Sequence, residues 1–228
     1  MKKLVIAIDG PAASGKSTTA RLAAKRLGYL HIDTGAMYRA ITLKVLRLGI
    51  DPADRAAIGR MLPDTRIELA EGEDGVRVLL DGEDVSGEIR REAVTTLVSA
   101  VSSLREVRDA MVREQRRMGA SGGIVLEGRD IGTVVFPGAD LKFFMSARIE
   151  TRATRRQREL DAAGVASSAD SLMKEIEERD RRDSTREESP LRKASDAIEV
   201  DTTGMSIDDQ VNAVVGRAEE LLKRRERS

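Results

Sequence analysis

Residues 4–17 read Leu4-Val5-Ile6-Ala7-Ile8-Asp9-Gly10-Pro11-Ala12-Ala13-Ser14-Gly15-Lys16-Ser17. The second part of this stretch fits Gly-x-x-x-x-Gly-Lys-Ser/Thr and follows directly on an apolar run with the length of a strand. Glycines in this pattern let consecutive backbone N–H groups turn inward on a polyphosphate, which lies at the positive end of the next helix. The stretch therefore predicts a phosphate-binding loop between a first strand and a first helix.

Two side chains of the loop have distinct chemical roles. Lys16 can bridge the β and γ phosphates as a point charge, and Ser17 offers a hydroxyl to the Mg²⁺ that accompanies ATP or GTP. The alternative is a chance glycine turn, which the order of strand, loop and helix disfavours. We predict Ser17 as a metal ligand and an ATP-binding segment of Gly10, Pro11, Ala12, Ala13, Ser14, Gly15, Lys16, Ser17 and Thr18.

The composition fits a nucleotide enzyme better than a nucleic-acid or membrane protein. The 228 residues include 39 basic and 39 acidic side chains, so no net field attracts nucleic acid or an anionic membrane. Cysteine is absent, which excludes disulfides and thiolate metal sites. No segment has the length of a signal-sequence core or a membrane span. We expect a cytoplasmic monomer without nucleic-acid or membrane partners.

Strands alternate with helices along the chain, the pattern of a parallel sheet covered by helices on both faces. We therefore predict an α/β fold. The predicted strands are 29–33, 124–127, 141–146 and 197–201, in addition to the first. The predicted helices are 17–27, 35–48 and a last helix that opens with the capping box Ser206-Ile207-Asp208-Asp209. That last helix carries a stripe expected to lie in the core, formed by Ile207, Val211, Val214, Val215, Ala218, Leu221 and Leu222.

One segment interrupts this alternation. Residues 65–69 and 76–80 are rich in β-forming side chains and flank the turn-prone Glu71-Gly72-Glu73-Asp74-Gly75, which predicts a hairpin. A helical pattern over 92–118 follows, with a break near Ser102-Ser103. We interpret residues 63–100 as an insertion that carries part of an acceptor site; the alternative is a decorative surface hairpin.

Polar segments elsewhere indicate a second binding site. Arg39, Arg129 and Asp130 follow apolar strands, and ligands of open parallel sheets bind beyond the carboxyl ends of the strands. We expect these three side chains to converge near the nucleotide. Arg179, Asp183 and Arg186 stand at i, i+4 and i+7 and are predicted to share one helix face. The alternative for that helix is a charged face in solvent.

Together these motifs resemble the bacterial cytidylate kinase family, a group of nucleoside monophosphate kinases with a phosphate-binding loop. The resemblance spans nearly the whole chain and rests on residues 8–11, 33–39, 82–90, 128–137 and 179–183. It implies transfer of the γ-phosphoryl group of ATP to CMP or dCMP with Mg²⁺. It also implies one kinase domain over 1–228, with an acceptor-binding insert at about 63–100 and a mobile lid at about 148–166.

The resemblance further implies roles for individual residues. The acceptor phosphate would be held by Arg39 and Arg129, and the cytosine would face Arg108, Asp130 and Arg186. The pentose would face Arg179 and Asp183, with Ser99 supporting Asp183, and Thr34 stands where serine is frequent. The implied CMP-binding residues are thus Thr34, Arg39, Ser99, Arg108, Arg129, Asp130, Arg179, Asp183 and Arg186, and the implied catalytic residues are Lys16, Arg129, Arg179 and Asp183. The role of Glu127 is open, as is which lid arginine among Arg148, Arg152, Arg155, Arg156 and Arg158 closes over ATP.

Residue chemistry agrees with this assignment and leaves two alternatives. Cytosine presents an amino donor beside two acceptors, which a site of carboxylate and guanidinium groups matches. Another small-molecule kinase, of the adenylate or shikimate type, would share the loop but would not require the Arg179, Asp183 and Arg186 face. A non-catalytic nucleotide switch or an arginine-rich RNA binder is disfavoured by the balanced charge and by the scarcity of aromatic side chains.

Overall fold

The computed structural model describes residues 3–72, 75–162 and 164–227. Five strands form one sheet in the order β2-β6-β1-β7-β8. The strands are β1 (Val5–Asp9), β2 (Leu30–Asp33), β6 (Ile124–Gly128), β7 (Leu141–Ser146) and β8 (Ile198–Asp201). Parallel pairing joins β1 to β6 and to β7, and β7 to β8. The predicted α/β class with a parallel sheet is confirmed.

The chain divides into two compact units, Met1–His31 with Ser121–Ser228, and Ile32–Ala120. In the first unit, β1 lies at the centre of the sheet, and Leu4, Ile6 and Ile8 are fully buried. A continuous apolar run is typical of a parallel strand that is covered on both faces. Because β1 is the central strand, the loop that follows it lies at the middle of the sheet edge.

Two helices pack against this sheet and against each other, α1 (Lys16–Leu27) and α8 (Ile207–Glu226). Helix α1 ends at Gly28, whose positive φ closes the helix, and α8 begins with a capping box in which Ser206 and Asp209 bond reciprocally. The predicted cap of α8 is confirmed. The prediction that Ile207 lies in the core is wrong. This side chain is 52% exposed, because the first turn of the helix extends beyond the packed stripe that begins at Val211.

Helices α6 (Ile149–Ala162) and α7 (Ala169–Thr185) form a pair in the same unit. Ala153 on α6 is buried with Leu172 and Ile176 on α7, and Ala13 of the loop packs against this small cluster. Ser168 caps α7 by accepting a hydrogen bond from the backbone N–H of Ser171. The pair therefore forms a small core beside the phosphate-binding loop.

The second unit combines helices with a small antiparallel sheet. Its helices are α2 (Thr34–Arg47), α3 (Arg55–Met61), α4 (Glu92–Ser103) and α5 (Arg105–Met118). The sheet consists of β3 (Ile67–Gly72), β4 (Gly75–Leu80) and the short β5 (Glu83–Asp84). Pairing of Ile67 with Leu80 and of Leu69 with Val78 confirms the predicted hairpin, whose turn residues Glu73 and Asp74 lie outside the described residues. Among the described residues, no helix combines the length and apolar character needed to cross a membrane.

Most element boundaries agree with the sequence patterns to within two residues. Strand β7 has the predicted bounds, and the long helical pattern breaks at Leu104, next to the predicted Ser102-Ser103 break. Arg186 is an exception, because α7 ends at Thr185 and the backbone of Arg186 is extended. Its backbone N–H still donates to the carbonyl of Arg182 at 3.1 Å, and its side chain lies 3.9 Å from that of Asp183, so Arg186 remains on the side of the helix that carries Asp183. The residue lies just past the end of the helix.

Candidate functional site

The loop between β1 and α1 is closely packed and is followed by a buried lysine. Lys16 is buried, and its Nζ donates to the carbonyl of Pro11 at 3.0 Å. The backbone of Gly15 is left-handed, with φ 93°, and a Cβ there would lie 2.6 Å from Oε1 of Gln210. A Cβ on Gly10 would lie 2.1 Å from the carbonyl oxygen of Met145. Gly10 is therefore required by its close packing against the backbone of Met145, and Gly15 by its left-handed backbone, in addition to any phosphate ligand.

Side chains from distant elements hold the far side of the loop. The hydroxyl of Thr202, which directly follows β8, donates to the carbonyl of Ser14 at 2.8 Å. Arg155 from α6 donates to both the hydroxyl and the carbonyl of Thr202, at 3.0 and 2.7 Å. Burial lowers the pKa of Arg155. These contacts hold the carbonyl of Ser14 in place from outside the loop sequence.

Ser17 contacts a carboxylate that comes from the neighbouring strand. Its hydroxyl donates to Oε2 of Glu127 at 2.5 Å, and Oε1 of the same carboxylate lies 3.3 Å from Nε2 of His31. Glu127 is only 3% exposed. Burial acts to raise the pKa of Glu127, but the hydrogen bond with His31, the charge of Lys16 and the hydrogen bond with Ser17 outweigh it and hold the pKa below its ordinary value. Glu127 is therefore a buried, ionised carboxylate beside the loop.

Sequence reasoning left Glu127 without a role. The signal that could have identified it is its position at the carboxyl end of β6, which pairs directly with β1 so that Glu127 is the partner of Ile8. The sequence establishes that both segments are strands but does not establish that they are neighbours. His31, the only histidine of the chain, lies in β2 and was interpreted only as a strand residue.

Asp9 organises the segment that follows β6. Its two carboxylate oxygens accept hydrogen bonds from the backbone N–H groups of Ile131 and Gly132, at 2.8 and 2.7 Å. Burial raises the pKa of Asp9 to about 6, even though both backbone hydrogen bonds favour the ionised form. Ile131 and Gly132 begin a single π-type turn, Ile131–Val135. This turn is anchored to β1 by Asp9, directly after Arg129 and Asp130.

Arg129, Asp130, Asp183 and Arg186 form a cluster of alternating charge, which we call the arginine–aspartate cluster. Nε of Arg129 donates to Oδ2 of Asp183 at 2.8 Å. Arg186 lies 3.6 Å from Asp130 and 3.9 Å from Asp183. The four side chains are between 6% and 16% exposed. Such a buried arrangement is distinct from the solvated charged face that was the alternative for this helix.

The charges of this cluster control the protonation of Asp183. Burial acts to raise the pKa of Asp183, but Arg129, Arg179 and Arg186 outweigh it and hold the pKa below its ordinary value. Arg179 thus contributes electrostatically to the cluster, and its neighbours Arg181 and Arg182 pair with Glu178 at the surface. The structure therefore brings together five of the predicted acceptor-site residues in the first unit: Arg129, Asp130, Arg179, Asp183 and Arg186.

The remaining predicted acceptor residues belong to the second unit. Arg39 on α2 donates to the hydroxyl of Thr95 at 2.8 Å and to the carbonyl of Ile89 at 3.3 Å. Arg108 on α5 is buried, lies 5.5 Å from the centre of the Tyr38 ring and donates to the carbonyl of Ser102. Thr34 is buried at the start of α2, and Ser99 is half-buried on α4. Within this unit, Arg39 and Arg108 are both held by α4 and its neighbouring segments.

The geometry defines a class of proteins. A glycine-rich loop joins a central parallel strand to a helix, with a buried lysine and with a serine that contacts a carboxylate on the adjacent strand. These features define a P-loop fold of the class that includes small-molecule kinases and nucleoside triphosphatases. A crystal structure of an uncharacterized protein from Eubacterium ventriosum has the same fold, with a TM-score of 0.52, 9% identity and coverage of 95% of this chain and 99% of that one.

Sequence comparison identifies the family within this class. The cytidylate kinase family model matches residues 6–220, and the chain belongs to this family. A cytidylate kinase from Geobacter sulfurreducens is 47% identical over 99% of this chain and 95% of its own length. Another from Pediococcus pentosaceus is 49% identical over 98% and 99%, and one from Geobacillus kaustophilus is 50% identical over 94% and 96%. The family resemblance inferred from the motifs is confirmed.

Proposed function

We propose that the protein transfers the γ-phosphoryl group of ATP to CMP or dCMP. A phosphate oxygen of the monophosphate attacks the γ-phosphorus, the bond from that phosphorus to the β–γ bridging oxygen breaks, and CDP or dCDP and ADP are the products. Membership of the cytidylate kinase family supports this reaction. The proposal includes a cytoplasmic monomer without nucleic-acid or membrane partners, and one kinase domain with an insert at 63–100 and a lid at 148–166.

The arginine–aspartate cluster is the observation that carries the choice of acceptor. Cytosine offers an amino group as donor beside acceptors at N3 and O2, and carboxylates and guanidinium groups satisfy these in turn. Asp130 is 4% exposed, so a base with the wrong donor pattern would leave a buried polar group without a partner. Sites built to hydrogen-bond a substrate reject such analogues strongly. The cluster therefore favours cytosine over uracil.

The proposed ligands of the acceptor are the residues that the family resemblance implies. From the first unit these are Arg129, Asp130, Arg179, Asp183 and Arg186. From the second they are Thr34, Arg39, Ser99 and Arg108, which are assigned through the family. Arg39 and Arg129 would bind the acceptor phosphate, because a planar guanidinium binds phosphate oxygens in a bidentate manner.

The donor nucleotide is proposed to bind at residues 10–18, with Lys16 on its terminal phosphates. The oxygens of Ser17 and Glu127 are 2.5 Å apart, and the low pKa of Glu127 keeps it ionised, so they suit Mg²⁺, which prefers hard oxygen ligands. Bound Mg²⁺ would neutralise charge on the transferring phosphoryl group. We therefore propose Ser17 as a ligand and add Glu127 as a second one, directly or through water.

Phosphoryl transfer needs little covalent help from the protein, because catalysis consists largely of in-line positioning and charge neutralisation. Lys16, Arg129 and Arg179 supply positive charge, and Asp183 orients Arg129 through their 2.8 Å contact. These four residues are the proposed catalytic residues. Closure of a lid over ATP would exclude water that otherwise hydrolyses it.

The experiment that tests this function measures ADP release from Mg-ATP with CMP, dCMP, UMP, AMP and shikimate offered singly. We expect CMP or dCMP to give the highest kcat/KM. A Lys16→Ala variant, assayed in parallel, sets the background of the preparation. Preference for AMP or shikimate would assign the protein to another kinase activity, and ADP release that no acceptor stimulates would indicate a nucleotide-binding protein without transferase activity.

A further inference from the structure

Two charged side chains hold Ala12, the third residue of the phosphate-binding loop. Oδ1 of Asp180 accepts a hydrogen bond from the backbone N–H of Ala12 at 3.2 Å. Nη1 of Arg152 donates to the carbonyl of the same residue at 3.3 Å. Arg152 also forms an ion pair with Oδ2 of Asp180. Both main-chain polar groups of Ala12 are thus satisfied by one pair of opposite charges.

This pair links three elements of the first unit. Arg152 belongs to α6 and Asp180 to α7, and the loop residue Ala13 packs on the small apolar cluster between these helices. The Arg152 side chain is 10% exposed and that of Asp180 is 20% exposed. Within the described part of the chain, Nε of Arg152 has no hydrogen-bond partner, so the guanidinium is held chiefly by Asp180 and Ala12. The loop is therefore attached to both helices by charge as well as by packing.

We propose that Asp180 and Arg152 act as a paired clamp that positions the phosphate-binding loop for a nucleoside triphosphate. The inference rests on the proposed binding of ATP at residues 10–18. A phosphate-binding loop works through backbone N–H groups that are oriented before the ligand arrives, so fixing both polar groups of Ala12 preorganises it. Arg152 and Asp180 are positioning residues in this proposal.

The charges of the clamp have opposite effects on an anionic ligand. Asp180 contacts the loop directly, and an unpaired carboxylate there would repel a polyphosphate. Arg152 neutralises that carboxylate. The clamp therefore predicts that Arg152 is needed mainly because Asp180 is present. An arginine that simply bound phosphate would be needed whether or not Asp180 were present.

The test is a double-mutant cycle of Arg152→Met, Asp180→Asn and the double variant, with ATP affinity measured by calorimetry in the presence of Mg²⁺ and without acceptor. We expect Arg152→Met to weaken ATP binding by roughly thirtyfold or more, the order seen when one partner of a buried charge pair is removed. The double variant should regain at least about threefold of this loss, since neighbouring charges couple non-additively. CMP affinity should change by less than about twofold in all three variants.

Two further variants keep the result interpretable. Arg152→Lys retains the positive charge and should bind ATP more tightly than Arg152→Met, which allows the test to proceed if Arg152→Met does not fold. Arg217→Met removes an exposed arginine that pairs with Glu220 on α8 and should leave ATP affinity unchanged. Melting temperatures without ligand are measured for every variant, because a purely structural pair would lower stability and weaken both nucleotides together.

Two results would contradict the clamp, and a third would contradict the proposed function. If the double variant binds ATP no better than Arg152→Met, then Arg152 acts independently of Asp180 and the clamp is wrong. Equal loss of ATP and CMP affinity would also overturn the clamp, since the pair would then serve only the fold. Absence of ATP binding by the unmodified protein would instead refute the proposed function, and the clamp with it.

Discussion

Ser17 and Glu127 are joined by a 2.5 Å hydrogen bond between the first turn of α1 and the carboxyl end of β6. The contact joins an exposed residue of α1 to a carboxylate that is 3% exposed. His31 contacts the other oxygen of that carboxylate at 3.3 Å. Both oxygens of Glu127 thus have a defined partner, which fixes the orientation of the carboxylate toward the loop. The sequence predicts the serine as a metal ligand, and the fold places the carboxylate beside it.

Replacing Glu127 by glutamine tests its proposed role at the metal. Glu127→Gln keeps the size of the side chain but removes the negative charge, so we expect the Mg²⁺ concentration for half-maximal activity to rise by roughly tenfold or more, the order of effect of altering a metal site. Calorimetric ADP binding should lose its dependence on Mg²⁺ in parallel. Glu178→Gln, which alters an exposed carboxylate on α7, is the matched control. An unchanged Mg²⁺ requirement would leave Glu127 with a structural role only.

Replacing Lys16 tests the charge that is proposed to face the terminal phosphates. Lys16→Ala should lower kcat by roughly a hundredfold to a thousandfold, the range found when one preorganised transition-state donor is removed. The fold should survive, because Lys16 is not part of the apolar core formed by β1, α1 and α8. Far-ultraviolet circular dichroism and steady-state kinetics check the two parts. Near-normal turnover in the folded variant would remove Lys16 from catalysis.

Replacing Asp183 tests the arginine–aspartate cluster. Asp183→Ala leaves the guanidinium of Arg129 without its 2.8 Å partner, so we expect the KM for CMP to rise by roughly tenfold or more, as when one member of a buried charge pair is removed. The KM for ATP should change by less than about twofold. Asp183→Asn retains one acceptor oxygen and should show a smaller effect. If both KM values rise equally, Asp183 does not belong specifically to the acceptor site.

The raised pKa of Asp9 predicts a pH dependence of stability. Burial raises the pKa to about 6 from an ordinary value of 3.8, so the folded protein holds this proton more tightly than the unfolded chain does. The stabilising contribution of the protonated group is complete below pH 3.8 and is lost as the pH rises through about 6. It amounts to about 3 kcal/mol at most.

Comparison with an Asp9→Asn variant isolates this contribution, because asparagine does not titrate. The free energy of unfolding of the unmodified protein, taken relative to Asp9→Asn, should fall between pH 4 and pH 6 and stay constant above about pH 7. Urea unfolding at several pH values provides the measurement. A difference between the two proteins that does not vary with pH would show that Asp9 titrates at its ordinary value.

The sequence patterns worked best where a local rule governs the structure. The alternating strands and helices, the capping box at Ser206 and the helix end at Gly28 all depend on residues close together in the chain. One detail failed because tertiary context overrode periodicity. Ile207 continues an apolar stripe but lies beyond the packed part of α8.

The sequence by itself determined the α/β class, the phosphate-binding loop and the family. Each of these depends on motifs of consecutive residues, whose backbone conformation is set by neighbours in the chain. Only the tertiary structure decided which distant side chains meet. Strand order placed Glu127 beside Ser17, the pairing of α6 with α7 placed Arg152 and Asp180 on Ala12, and burial among arginines set the charge state of Asp183. Contacts of this kind depend on which elements become neighbours and on how far water is excluded between them, and neither quantity is fixed by spacing along the chain.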